Sequence, residues 1–469
     1  MKIIGRKREQ DILTQCINSN RPEFLVVYGR RRIGKTYLIK EYFNNRFSFY
    51  ASGAPDENTA GQLKTFYKSL REFGSKDRKA PKDWYEAFSM LKELLNSKEV
   101  YREPINNRVV IFLDEMPWMD SPQSDFKSAL DRFWNMWASS REEIILIACG
   151  SATSWIIDNI LNGKKGFHNR VTRQLRLMPF TLKECEELLV HNGLNLPRNQ
   201  IIDLYMVFGG IPYYLSLMDT RLSIPQNIDE RFFKEYGELH NEYYNLFHSL
   251  YRKPDKHLKI IHVLAEKDSG ITRNEISEST GLSSGFALSK CLRELEECGF
   301  IRKYEKKAEK GKDTIYQLTD PFILFCIKTV QNGKIRSWSK YYGTSSYYQW
   351  RGKSFEIVCL NHISQIKSAL EIGGVDTYEY SWQNTEAQID LIIDRDDGVI
   401  NLCAIKYTDK EYEPDQSDYN KLRNRMAVFQ EHSNHKKAIH ITLITANGLK
   451  QNKYFGIFQN VIQGDDLFS

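Results

Sequence analysis

The sequence predicts an α/β protein of several domains, founded on a parallel sheet that carries a phosphate-binding loop. Three observations predict it. FLVVYGRRRIGKTYLIKEYF (24–43) reads as an apolar strand, a glycine loop and an amphipathic helix. RVVIFLDEMPWM (108–119) and EIILIACGSA (143–152) are further apolar runs of strand length. Helical segments separate them, the alternation that builds a parallel sheet. The 469 residues also exceed what one hydrophobic core supports, so roughly two to four domains are expected.

Composition narrows the class. With 41% apolar and 27% charged residues, the chain has an ample core and is not dominated by disorder. A net charge of +6 permits a nucleic-acid partner without demanding one. The 8 cysteines are scattered, with no CxxC pair, so the spacing argues against zinc and reduced thiols are expected. No charged-then-apolar leader opens the chain, and no apolar run approaches membrane-spanning length. A cytoplasmic protein with no membrane partner is the expectation.

Gly29-Arg30-Arg31-Arg32-Ile33-Gly34-Lys35-Thr36 fits GxxxxGK[ST] between strand and helix, with Tyr37 following. The glycines let the backbone curl so that amides and the helix N-terminus face phosphates. Lys35 is expected on the β/γ-phosphates of ATP and Thr36 on Mg²⁺. The run ending in Asp114-Glu115 supplies the acids: Asp114 for Mg²⁺ through water, Glu115 to polarise the attacking water. Ser151, at the end of the third run, is placed to sense the γ-phosphate, with a simple strand-end cap as the alternative. In GKKGFHNRVTRQLRL (163–177), Arg170 and Arg173 are candidates for a finger acting on a neighbouring subunit's nucleotide, and a solvated basic loop is the other reading. Trp118, Trp134, Trp137 and Trp155 are read as core rather than as a base-stacking platform.

IIGRKREQDIL (3–13), GRRRIGKT, IFLDEMPWM, ACGSATSW, NRVTRQLRLMPFT and GGIPYYL (209–215) together resemble the archaeal-type AAA+ ATPases of prokaryotes, relatives of the signal-transducing STAND clade. The resemblance implies an AAA+ core over 1–180 and a small helical lid over 181–250. It further implies that Gly5-Arg6 starts a segment near the adenine, that Gly209-Gly210-Ile211-Pro212 sits in the lid near the nucleotide, and that the chain assembles with copies of itself.

Residues 251–330 read as a winged helix. KIIHVLAE is amphipathic, Thr272-Arg-Asn-Glu275 is a capping box, and Leu288, Leu292 and Leu295 form the apolar stripe of the third helix. A hairpin wing with a basic tip follows. Lys290 and Arg293 suit a phosphate backbone, but Glu294, Glu296 and Glu297 on the same helix oppose it. DNA binding and docking on a protein surface therefore stay open as alternatives.

The C-terminal unit, 345–469, opens with a helix carrying Glu356 near its start. AQIDLIIDRDDGVINLCAIKY (387–407) then reads as two strands around a tight turn, with Gly398 suited to positive φ. A loop over 396–398 sets Arg395 opposite Val399, and the same register sets Asp390 opposite Ala404. Ala404 and Lys406 share a strand face. An acid, a hairpin turn, then acid-x-Lys on the returning strand is the layout of the PD-(D/E)XK nucleases, which this domain resembles. The resemblance implies that Asp390 and Glu356 hold Mg²⁺, with Mn²⁺ as an alternative, and that Lys406 orients water against nucleic acid, DNA rather than RNA. It also implies a carboxylate at position 404, where this chain has alanine. Loss at one position with its neighbours intact has the pattern of a deliberate carboxylate-to-alanine replacement rather than of natural decay, and cleavage is expected to be lost with it. A bare cross-strand ion pair of Asp390 with Lys406 is the plainer alternative.

Overall fold

The computed structural model describes residues 3–161, 169–251, 253–267, 270–308, 311–331, 333, 335–384, 386–433 and 436–469, with the backbone course alone over 305–308 and 311–313. The chain divides into two compact units, Met1–Met178 and Pro179–Ser469. Among the described residues no helix is long and apolar enough to cross a membrane, and all eight cysteines are buried free thiols.

In the first unit β1 (Glu23–Tyr28), β2 (Phe49–Ser52), β3 (Val109–Asp114), β4 (Ile144–Gly150) and β5 (Arg173–Arg176) form one sheet. Their order is β2-β3-β4-β1-β5, and every neighbouring pair is parallel. β1, β3 and β4 are buried at every residue. Phe24, Val26, Ile111 and Leu146 enter the core on one face, and Leu25, Val27, Phe112 and Ile147 enter the core on the other. Burial on both faces is why these strands read as unbroken apolar runs rather than as alternation. Because all run one way, the chain leaves β1, β3 and β4 along a single sheet edge, at Tyr28, Asp114 and Gly150.

The second unit begins with helices, among them Leu182–His191 and Arg198–Phe208. Gly209 ends the latter at φ 65° and Pro212 opens the next short helix. The winged helix follows: helices Asp255–Ala265, Arg273–Thr280 and Phe286–Glu297, with β6 (Ile271–Thr272), β7 (Ile301–Ala308) and β8 (Gly311–Leu318) in the order β6-β8-β7. The Thr272–Glu275 capping box forms in both directions, and Leu288, Leu292 and Leu295 are buried. The basic wing tip lies outside the described residues.

The C-terminal sheet comprises β9 (Thr377–Gln383), β10 (Gln388–Arg395), β11 (Val399–Lys406), β12 (Ala438–Thr445) and β13 (Asn460–Gln463). β9, β10 and β11 make an antiparallel meander. Helix Gln416–Ser433 then crosses to β12, which lies parallel to β11. The helix bearing Glu356 starts at Ser345, earlier than expected. Thr344 caps it, its hydroxyl accepting the Tyr347 N–H at 3.3 Å, and Glu356 therefore falls in its later half rather than near its start. One core runs from Phe180 through Leu292 and Phe355 to Phe468, so the helices that open the second unit, the winged helix and the C-terminal sheet share their packing. Arg351 helps join them. Its buried guanidinium donates to Asp203 at 3.2 Å, pairs with Asp409 and lies 4.2 Å over the Tyr407 ring.

Candidate functional site

β1 ends at Tyr28, and the chain turns at Gly29 with φ 144°. A Cβ at Gly29 would stand 2.5 Å from the Leu177 carbonyl oxygen, so the close approach admits only glycine. Arg32 and Gly34 extend the curl at φ 67° and 90°. Lys35 opens the next helix, and its Nζ donates to the carbonyls of Gly29 at 2.9 Å and Arg30 at 2.8 Å. The ammonium is folded over the loop, with its charge beside the helix N-terminus, a site built for an anion. Arg30 and Ile33 are buried, whereas Arg31 and Tyr37 are exposed. Gly5-Arg6 lies against this loop: Arg6 Nη2 donates to the Ile33 carbonyl at 3.3 Å.

The acids meet the loop from β3. Thr36 Oγ1 stands 2.9 and 3.0 Å from the two Asp114 carboxylate oxygens, to which it donates. Burial raises the Asp114 carboxyl above its ordinary range, the Thr36 hydrogen bond holds it back, and the neighbouring Glu115 charge adds to the rise. A hydroxyl and a carboxylate side by side at a phosphate loop are hard oxygen donors, which fit Mg²⁺. Glu115 sits in the left-handed region at φ 43°, an uncommon conformation for a side-chain-bearing residue and one found at functional sites. That turn sends its carboxylate to the end of β4, where the Ser151 hydroxyl donates to Oε1 at 2.7 Å and the Ser151 N–H to Oε2 at 3.2 Å. Ser151 thus holds the catalytic-base candidate, a role beyond a strand-end cap.

Sequence reasoning passed over two glycines at the same sheet edge. A Cβ at Gly53 would lie 2.4 Å from the Glu115 carbonyl oxygen, and one at Gly150 2.5 Å from Pro117 Cδ. The signal available was positional: each glycine closes a strand next to the acids.

The two arginines lie toward the opposite edge, where β1 and β5 begin. Arg170 hydrogen-bonds Asn135. Arg173 pairs with buried Glu23 at 3.5 Å and donates to Gln15 at 2.9 Å. These contacts commit the Arg173 guanidinium within its own chain. Pro212 belongs to the second unit, where the carbonyl of neighbouring Gly210 accepts the Phe180 N–H at 2.8 Å. Of the four tryptophans, Trp134 is fully in the core and Trp155 donates to Asp120 at 3.0 Å.

On the third winged-helix helix the carboxylates are not the free acidic face expected. Glu294 is buried and bonded to His257 at 2.8 Å, while Glu296 pairs with Lys303 at 3.2 Å and Glu297 with Arg293 at 3.8 Å. The helix period turns Glu294 inward with Leu295 and Cys291, which spacing alone left ambiguous. Phe286, at the helix start, is 83% exposed.

At the C-terminal hairpin the expected register is the observed one. Leu391 faces Cys403 and Ile393 faces Asn401, and the same pairing carried one step further sets Asp390 opposite Ala404. Gly398 turns the loop at φ 89°. The surroundings differ from expectation. Ala404 is buried among Tyr412, Leu422, Ile441, Leu443 and Phe458, an apolar cluster rather than the carboxylate-lined surroundings a metal site implies. A small cavity beside it is lined by Ile389, Leu402, Leu422 and Arg425. Asp390 accepts a hydrogen bond from Gln388 at 2.8 Å, Glu356 pairs with Lys353 at 2.8 Å, and Lys406 lies 6.0 Å from the Tyr412 ring centroid. Among the described residues no ion pair joins Asp390 to Lys406, and no group of three metal-ligating side chains gathers at the hairpin.

Comparison with known proteins gives family matches over the phosphate-loop unit and over the winged helix. Residues 4–218 match a family described as an ATPase domain predominantly from Archaea, and residues 254–302 match a winged helix-turn-helix DNA-binding family. An uncharacterized protein of Methanocaldococcus jannaschii is 25% identical over 332 residues, 70% of this chain and 68% of that protein. An uncharacterized ATP-binding protein of the same organism is 42% identical over 43 residues, 9% of this chain and 73% of that one. Among solved structures, the Walker-type ATPase of Pyrococcus abyssi aligns at TM-score 0.47 and 17% identity, over 70% of this chain and 96% of that one. By the two family matches, the chain carries an archaeal-type ATPase domain and a winged helix.

Proposed function

We propose that this chain hydrolyses ATP and couples the cycle to a nucleic-acid-binding second unit, within a homo-oligomer. The observation that carries the reading is the meeting of Thr36, Asp114, Glu115 and Ser151 at the phosphate loop. Lys35 supplies the fixed cation for the β/γ-phosphates, exchanging its two loop carbonyls for phosphate oxygens. Thr36 and Asp114 would hold Mg²⁺, whose role is to neutralise phosphate charge. Glu115 accepts a proton from water, and Ser151 keeps its carboxylate aimed across the sheet edge. Arg170 is proposed as the finger reaching a neighbouring subunit, in keeping with its distance from the loop of its own chain.

Measured turnover and nucleotide affinity of Lys35→Ala and Glu115→Gln test the assignment. Lys35→Ala should lose both, and Glu115→Gln turnover alone; equal loss of binding in both would overturn the separate roles. Mixing Arg170→Ala with Lys35→Ala should restore part of the activity, and no restoration at any protein concentration would remove the finger role.

The winged helix is proposed to bind DNA, because the acids of its third helix are buried or paired and the start of that helix presents Phe286. Binding should weaken steeply with salt; salt-insensitive or absent binding would favour a protein partner. For the C-terminal domain, the meander with Asp390 opposite position 404 and Lys406 beyond it supports descent from a nuclease of the PD-(D/E)XK layout that does not cut as the chain stands. Gel cleavage of DNA and RNA with Mg²⁺ or Mn²⁺ by this chain and by Ala404→Glu decides it. Cleavage gained by Ala404→Glu supports the nuclease layout, and ATP turnover with no cleavage by either favours a nucleotide-switched regulator that binds without cutting.

A further inference from the structure

The winged helix buries a side-chain cluster that neither the nucleotide chemistry nor DNA contact uses. His257 comes from helix Asp255–Ala265, and Cys291 and Glu294 from helix Phe286–Glu297. All three are less than a tenth exposed, and one ligand atom of each lies within 4.8 Å of the other two. Cys291 and Glu294 are three residues apart, which stacks them on the helix face turned to His257. His257 Nε2 is 2.8 Å from Glu294 Oε2, while the buried Nδ1 has no hydrogen-bond partner. Tyr251 fixes the ring: the two rings stack with centroids 3.8 Å apart and planes within 5°. The Tyr251 hydroxyl lies 3.3 Å from both the Glu294 carbonyl oxygen and Cys298 Sγ.

We propose that His257, Cys291 and Glu294 form a zinc site that pins the third helix of the winged helix to its first. An imidazole, a thiolate and a carboxylate make a mixed N, S, O set, which suits Zn²⁺ and not the all-oxygen demands of Mg²⁺ or Ca²⁺. Bonds of about 2.0–2.3 Å in tetrahedral array hold ligand atoms roughly 3.3–3.8 Å apart. The three ligand atoms, within 4.8 Å of one another, would draw closer by side-chain rotation and fill three of the four positions, leaving the fourth to water. The pocket already favours a cation: burial alone would lower the imidazole, yet Cys291 and Glu294 raise it to about 8. On loading, the thiol gives up its proton to solvent, the imidazolium gives up its own, and the His257–Glu294 hydrogen bond opens to admit the ion. No pair of neighbouring cysteines announces this site, because its ligands come from two helices 34 residues apart in sequence (257 to 291).

The test uses the full chain, stripped with a chelator and titrated with Zn²⁺ against a chromophoric competitor, and separately with Co²⁺. One Zn²⁺ per chain should bind below micromolar concentration, and Co²⁺ should give a thiolate charge-transfer band. That band should be lost in Cys291→Ser and kept in Cys185→Ser, whose cysteine lies elsewhere in the unit. In mild denaturant that lets buried Cys291 of the stripped, unaltered chain react, Zn²⁺ should also protect it from alkylation, a measurement that needs no variant to fold. Absence of stoichiometric uptake, a cobalt band that survives Cys291→Ser, or alkylation indifferent to Zn²⁺ would reduce the cluster to a buried ion pair and overturn the proposal.

Discussion

The phosphate loop and the C-terminal hairpin each set a lysine among strands that end near acids, but the two lysines are held differently. Lys35 is buried with two carbonyl partners, and each acid beside it is engaged: Asp114 by Thr36, Glu115 by Ser151. Lys406 is half-buried and lies 6.0 Å from the Tyr412 ring centroid, while Asp390 bonds Gln388 and Glu356 pairs with Lys353. A pre-formed site satisfies its charged groups with one another, since a buried polar group left without a partner is costly. The first site meets that standard and the second does not. On the proposed nuclease reading, a carboxylate at 404 would supply a metal with the anionic ligand that Ala404 does not offer.

The largest effects belong to the nucleotide site. Glu115→Gln should lower ATP turnover by about 10²–10⁴-fold, the usual worth of a positioned general base, with nucleotide affinity nearly unchanged in equilibrium binding. Ser151→Ala should lower turnover by less, because Glu115 keeps its place in the chain and loses only its orienting partner. A Ser151→Ala protein as slow as Glu115→Gln would give Ser151 a direct part in the chemistry.

In the second unit the comparable strength is structural. Arg351 is 5% exposed and serves Asp203 and Asp409. Arg351→Met should destabilise that unit by about 3 kcal/mol, since the largely buried Asp203 carboxylate loses its cation; the pair with exposed Asp409 adds little. Chemical denaturation followed by tryptophan fluorescence measures it, and a loss below about 1 kcal/mol, the range of an exposed pair, would show that the clamp is not a structural joint.

Acid should separate the units next. His362 is fully buried; its Nε2 accepts the Leu182 N–H at 3.0 Å, and its Nδ1 lies 2.8 Å from the Val358 carbonyl oxygen. Burial holds this imidazole down at about 4, against 6.5 ordinarily. The neutral ring contributes stability that is present above pH 6.5 and lost as pH falls toward 4, about 3 kcal/mol in all. The first unit's sole histidine in sequence is His168, so the second unit should melt earlier on acidification. His362→Gln should flatten that slope, and an unchanged slope would assign it to other groups.

The smallest expected effect sharpens the contrast most. Ala404→Glu places a carboxylate in an apolar cluster and should cost about 1–3 kcal/mol in chelator. Mg²⁺ or Mn²⁺ should restore the melting temperature of Ala404→Glu and leave that of the parent chain unmoved. Equal metal response in both chains would remove position 404 from any metal site.

Local pattern was enough to read the phosphate loop, the strand ending in Asp114-Glu115, the Thr272 cap and the hairpin register. Each depends on residues within one or two turns of chain, where the glycine, the helical period and the strand alternation act directly on neighbouring dihedrals. The start of the Glu356 helix was misjudged by a few residues because Thr344 caps it ahead of the run of apolar residues that spacing picks out. Tertiary structure alone decided that Ser151 holds Glu115, that Glu294 turns from solvent to His257 and Cys291, that Arg351 joins Asp203 to Asp409, and that Ala404 lies among apolar side chains. These contacts join residues tens to more than a hundred positions apart. No local period records such a meeting; it follows from which faces the packed helices and sheets bury against one another.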